Sequence, residues 1–219
     1  PVHMEKYGYL KDADWVQKEL KVPAEVPEKL KKFSKIIAEK YHVRPLKVKS
    51  AKELLPYAHS MFTTLNQSFK HLYGFVPLTD KQIKHYTKEY FSIIKPEYVC
   101  FVVNEKDEVI GFGVSMPSLT QALIKAKGNL IPIGAYHILK TLKKHDIIDM
   151  YLNGVRPDYQ SKGIHAIYYA EMMQTYIDNG IKLAITNPQL ETNNRALMLW
   201  DGYEQREHLR RRSYIKRFQ

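Results

Sequence analysis

The stretch IIDMYLNGVRPDYQSKGIHAIYYAEMMQTYIDNGIKLAIT, beginning at Ile147, constrains the fold most. It reads as an apolar strand over Ile147–Val155, a turn holding Pro157 and Gly163, and a helix starting near Gly163. That helix stops at Asn179-Gly180, a pair suited to ending a helix, and LAIT then forms another strand. A strand-turn-helix-strand unit belongs in a sheet that helices cover.

The rest of the chain supplies such a sheet. Glu28–Tyr41 carries Leu30, Phe33, Ile37 and Tyr41 at helical spacing, after the break VPAEVP. A short strand over 46–49 follows. Ser50 with Glu53 forms a capping box for a helix whose apolar face runs from Leu54 to Leu65. Thr79 with Gln82 repeats the device ahead of a helix to about Ile93. YVCFVVN and VIGFGVSM flank a turn at residues 105–108 and read as a hairpin. Residues 117–145 read as an insert with two short helices, over 121–126 and 136–144, each with one buried apolar face. Thr192 caps a short helix through Trp200, and the basic C-terminal stretch closes the chain as a strand. The pattern is α/β with a mixed sheet.

Composition narrows the function classes. Lys and Arg total 34 against 23 acids, a formal charge of +11, which attracts anions in general. The densest basic stretch, REHLRRRSYIKR, also fits the solvated face of an edge strand, and no recognition motif accompanies it. Nucleic acid is therefore not an expected partner. No apolar run approaches the roughly 20 residues of a membrane span, so no membrane partner is expected. No secretion signal is visible, and a cytoplasmic protein is the default. Cys100, the single cysteine, lies in an apolar run and reads as a buried hydrophobe. The histidines lack metal-ligand spacing, so no metal is expected.

The turn into the helix is an anion cradle by its chemistry. A helix N-terminus offers unpaired N–H groups and partial positive charge, Gly163 permits close approach, and Lys162 adds charge. Taken alone, the same turn fits an ordinary strand-to-helix connection equally well. Two patterns in order tip the balance: Val155, Pro157, Tyr159, Gln160, Lys162, Gly163 and Ile164, then Asn193, Arg195, Ala196, Leu199, Trp200, Gly202 and Tyr203. Together they resemble the GCN5-related N-acetyltransferase (GNAT) superfamily across residues 43–219.

The resemblance implies a mixed, centrally splayed β-sheet flanked by helices, with acetyl-CoA or another acyl-CoA in the gap between two strands. It implies that the pyrophosphate rests on backbone N–H groups of Ser161, Lys162, Gly163, Ile164, His165 and Ala166. Val155, Gln160 and Asn193 complete the expected cofactor contacts, and a small-molecule or peptide amine is the acceptor. The pattern is broken at His165, where the family has Gly or Ala. That imidazole can point away or offer a protonated ring to a phosphate. It is broken again at Trp200, where many members have a Tyr that protonates the thiolate; an indole N–H lacks that acidity. Tyr203 occupies a core position. On the strand, Asp149, Tyr151 and Asn153 share one face by a period of two, and Asp149 is the candidate general base. The solvated strand edge is the alternative place for it.

Residues 1–42 are set apart as an N-terminal segment. The stretch with Glu5, Lys6, Gly8 and Tyr9 resembles the end of the same family pattern and suits the tail of a preceding GNAT-like domain. The chain opens without Met, as a processed or partial protein would. The insert is expected to roof the acceptor pocket, or else to dock a neighbouring domain or subunit. The function that follows is N-acyl transfer from acyl-CoA to an amine. The alternatives are an inactive module that holds CoA or another anion, and a basic anion- or nucleic-acid-binding protein.

Overall fold

The computed structural model describes residues 1–91 and 94–217. The elements, in chain order, are α1 (Val2–Lys6), β1 (Leu10–Lys21), α2 (Glu28–Tyr41), β2 (Arg44–Pro45), α3 (Ala51–Phe69) and α4 (Asp80–Tyr90). After them come β3 (Val99–Val103), β4 (Val109–Pro117), α5 (Thr120–Lys125), α6 (Ala135–Lys143), β5 (Ile147–Val155) and α7 (His165–Asp178). The chain closes with β6 (Leu183–Ile185), β7 (Gln189–Leu190), α8 (Asn194–Leu197) and β8 (Gln205–Ile215).

The strands make one sheet in the order β2-β3-β4-β5-β6-β1-β7, with β8 paired to β1. Among the described residues, only β5 and β6 run parallel. β3 shows why the sheet needs cover on both faces, because all five of its residues are buried. Cys100 and Val102 join a core under α7 and α2, whereas Val99, Phe101 and Val103 join one under α3 and α4. A strand alternating between two cores reads as an unbroken apolar run, which is how YVCFVV appears.

Most expected elements are present, with shifted edges. The short strand expected over 46–49 sits at Arg44–Pro45. The Thr79–Gln82 box is complete, but the Ser50 hydroxyl donates to Glu53 at 2.9 Å instead of capping a backbone N–H. The expected end of α4 near Ile93 lies outside the described residues. The cap of α8 is Asn193, not Thr192, and accepts from the Ala196 N–H at 3.4 Å.

Residues 1–42, set apart on sequence, are continuous with the sheet. β1 pairs β6 and β7 along one edge and β8 along the other. Its sequence, LKDADWVQKELK, hides this role because the acidic Asp14 faces inward beside Val16 and Leu20. Arg212 donates two hydrogen bonds to Asp14, at 2.8 and 3.1 Å, and Arg210 adds one at 3.0 Å. The carboxylate is thereby held well below the usual range, chiefly by Arg212. A buried acid is stable here because β8 brings the guanidiniums to it.

The insert departs from its expected packing. Both short helices form, but Leu123, Ile124, Tyr136 and Leu139, expected to be buried, are 41%, 61%, 62% and 60% exposed. Ala122, Ala126 and Gly134 take the inward places. Two short helices joined to each other have too little depth for large side chains to bury.

Candidate functional site

β5 pairs β6 only from Ile147 to Asp149, opposite Leu183 to Ile185. β6 then ends while β5 runs on to Val155, so the sheet opens into a wedge whose apex is Asp149. Past that point the β6-facing edge of β5 has no partner strand, leaving peptide groups for a bound molecule.

The expected shared face of Asp149, Tyr151 and Asn153 is not regular. Opposite β4, Val114 pairs Leu152 and Ser115 pairs Met150, so Tyr151 is an extra, bulged residue. Ile148 and Met150 pack under α7, whereas Leu152 packs under α3. A Cβ on Gly154 would meet Ser68 Oγ of α3 at 2.8 Å. The bulge turns the strand's inward face from one core to the other, and a two-residue period cannot register that.

The turn after β5 winds tightly. Ser161 and Gly163 both take left-handed backbone, at φ 63° and 82°. The N–H groups of Lys162 and Ala166 bond Tyr159 and Gly163 carbonyls at 3.3 and 2.9 Å. Those of Ser161, Gly163, Ile164 and His165 have no backbone partner among the described residues. Alternating handedness concentrates such N–H groups into an anion-binding hollow. Gln160 donates to the Val155 carbonyl at 3.1 Å and ties the turn to the strand.

The reason for a glycine at 163 differs from the one expected. A Cβ there would stand 2.9 Å from Phe33 and 3.2 Å from Ile37 of α2. Helix packing and positive φ require the glycine whether or not a ligand approaches it. Lys162 is turned toward aromatic rings, 4.6 Å from Tyr159 and 5.3 Å from Tyr41.

Val155, Gln160, Ser161, Gly163, Ile164, His165 and Asn193 all line one cleft of about 570 Å³. Lys162 and Ala166 do not. The His165 ring meets Tyr169 edge-on at 6.4 Å, and burial lowers its pKa. The residue lines the cleft rather than standing away from it. Arg195, quoted in the motif without a role, lines the same cleft with no ion-pair partner among the described residues. His71 and Ser68, from the end of α3 and just beyond, also line it and had no local signal.

The cleft continues toward the wedge apex. Asn153, Asn193, Phe69 and Leu72 border both it and a second hollow of about 470 Å³. Asn187 and Pro188 join that hollow to a third, about 450 Å³, which contains Asp149, Tyr151, Thr186, His208 and Arg211. Asp149 is half-buried, and desolvation raises its pKa, against smaller opposing pulls from Ser118 and His208. From the insert only Thr120 reaches this hollow. A separate apolar cavity of about 300 Å³ between α3, α4 and the sheet shares Tyr151 with it.

Trp200 is 2% exposed, donates to Gln189 at 3.3 Å and packs against Tyr169. Tyr203 packs against the same core, and burial raises its pKa. Neither aromatic is among the residues lining the cleft.

The sequence matches no family model and no curated protein. Solved structures do match. One is a GCN5-related glucosamine N-acetyltransferase region of a fungal multi-domain GH3 β-N-acetylglucosaminidase, with TM-score 0.60, 12% identity and 97% of this chain covered. Another is a GCN5-related N-acetyltransferase from Sphaerobacter thermophilus, with TM-score 0.55, 14% identity and 97% coverage. This chain spans 22% and 53% of their respective lengths. With its mixed sheet parted between β5 and β6 and its cradle at the head of α7, the chain has the fold of the GCN5-related N-acetyltransferases.

Proposed function

We propose that the chain transfers an acyl group from acyl-CoA to a primary amine. The observation that carries this reading is adjacency: hollows that share lining residues lie in turn beside the anion cradle, the end of β5 and the partly desolvated Asp149. The N–H groups of Ser161, Gly163, Ile164 and His165, with Arg195, would hold the cofactor's phosphates. Acyl-CoA supplies the activated acyl group. From Val155 back to Asp149 is six residues of strand, roughly 20 Å, a span suited to an extended arm between phosphate and reacting end.

Asp149 serves as the base. An amine attacks only after losing a proton from its ammonium form, and a desolvated carboxylate accepts that proton more readily than an exposed one. The apolar cavity beside Tyr151 favours an acceptor with an apolar group near its amine. Trp200 is structural and takes no part in proton transfer.

Calorimetry with acetyl-CoA and CoA tests the cradle, and thiol release across an amine panel tests turnover. Asp149→Asn should lower kcat/KM by about 10²-fold while leaving CoA affinity intact. The base works deprotonated and its pKa is raised, so the acidic limb of the pH–rate profile should lie above the ordinary carboxylate value. That limb should vanish in the variant. Binding without thiol release for any amine would leave a CoA-holding module, and no binding would end the proposal.

A further inference from the structure

The insert between β4 and β5 carries a second feature, independent of the acyl-transfer reading. From Val109 to His145 the chain has no Asp or Glu, yet holds Lys125, Lys127, Lys140, Lys143 and Lys144. All five lysines are exposed, and among the described residues none forms an ion pair. Between the two helices, Leu130, Ile131 and Ile133 stand 53%, 79% and 61% exposed. On α6, Tyr136, Leu139, Lys140 and Lys143 all point outward, while Ile138 and Leu142 are half-buried. Their spacing of i, i+3, i+4 and i+7 puts the outward four on one face.

Large apolar groups exposed together cost free energy in water unless something covers them. What covers them must also welcome five unpaired cations. A protein partner would need a matching acidic rim around an apolar hollow, whereas an anionic bilayer offers both over any area. Leu, Ile and Tyr enter the headgroup boundary while lysine stems extend along apolar surface and keep their ammonium groups at the phosphates. No helix among the described residues is long and apolar enough to cross a membrane, and a surface contact needs none.

We propose that the insert seats the protein on an anionic lipid surface, with the tip at 130–133 inserted and α6 lying in the interface. The absence of any membrane partner, expected because nothing spans, does not extend to this contact. The arrangement would leave the acyl-transfer groove open, because only Thr120 of the insert lines it.

The test sediments the purified full chain with vesicles of phosphatidylcholine alone, or containing about a third phosphatidylglycerol. Each lysine near an anionic surface is worth roughly fivefold in partitioning, so the anionic vesicles should bind at least about tenfold more tightly. Added salt should weaken that preference. Combining Leu130→Ser, Ile131→Ser and Ile133→Ser should cut binding to anionic vesicles at least about tenfold. Combining Lys140→Gln, Lys143→Gln and Lys144→Gln should shrink the preference for anionic vesicles at least about tenfold. Both variants alter only exposed side chains, and wild-type melting curves will show that the fold is kept. Equal binding to both vesicle types, absence of binding, or either triple variant binding as wild type would overturn the proposal. So would light scattering that shows a wild-type dimer and a monomeric serine variant, since the occupant would then be a second copy.

Discussion

β8 and the insert are both basic, yet their charges serve different ends. On β8, Arg206 bonds Glu19 at 2.7 Å, Arg210 reaches Asp14, Glu191 and Glu207, and Arg212 reaches Asp14. Those arginines fasten an edge strand to β1 and use up their charge within the protein. The insert's lysines form no ion pair among the described residues. A formal charge of +11 cannot distinguish these cases; the pairing in space does. The difference teaches that a basic stretch signals an outside partner only where the fold supplies no inside one.

The sharpest way to break this comparison is at Asp14, which should produce the largest stability effect. Its side chain is 1% exposed and shared by two arginines. Asp14→Asn removes the buried carboxylate that both guanidiniums share, leaving Arg210 only the more exposed Glu191 and Glu207 and Arg212 only Glu5, and Tm should fall by roughly 5–10 °C. The pH dependence has a definite sign. A carboxylate with a folded pKa below its unfolded one stabilises above the unfolded value, near 4, and loses that stabilisation as pH falls through the folded one. Wild-type Tm should therefore drop steeply in acid while the Asn variant changes less. Equal acid slopes would mean that Asp14 does not anchor β8, and the contrast with the insert would weaken.

Gly163 tests the same distinction between inward and outward commitment. Read from sequence, it belongs to a ligand; in the structure its missing Cβ makes room for Phe33 and Ile37. Gly163→Ala combines positive φ with contact to α2 and should cost roughly 1–3 kcal/mol of stability whether or not CoA is present. A variant with wild-type Tm but lost CoA affinity would restore the ligand as the reason for the glycine.

These positions mark where the sequence was legible. β5, the turn and α7 were readable because apolar periodicity and turn residues are local; it was the family resemblance that grouped Val155, Gln160, Ser161, Gly163 and His165, which line one cleft. β1 was not readable as part of the sheet, since its inward Asp14 makes sense only beside Arg210 and Arg212, nearly two hundred residues away. The bulge at Tyr151 arises from register against β4 and leaves no mark in IIDMYLNGV. Arg195 stood in the quoted motif, but which motif side chains face the cleft depends on how α8 sits against it. In the insert, helical spacing correctly predicted helices and wrongly predicted a buried face, because periodicity shows that a face is apolar and not what covers it.

The smallest expected effect completes the comparison. If the insert's lysines take no part in holding the fold, neutralising them should leave stability almost untouched. Lys140→Gln, Lys143→Gln and Lys144→Gln, singly or combined, should each change stability by no more than about 0.5 kcal/mol, the ordinary range for surface changes away from specific contacts. The combined variant should gain from relief of like-charge repulsion, because Lys140 and Lys143 lie one turn apart on α6. That gain is limited to a few tenths of a kcal/mol and is screened by salt. Thermal melts at low and physiological ionic strength check both points. A loss of several degrees would show that the lysines hold the insert to the body of the protein, as the arginines hold β8, and the two basic regions would then be one kind of thing.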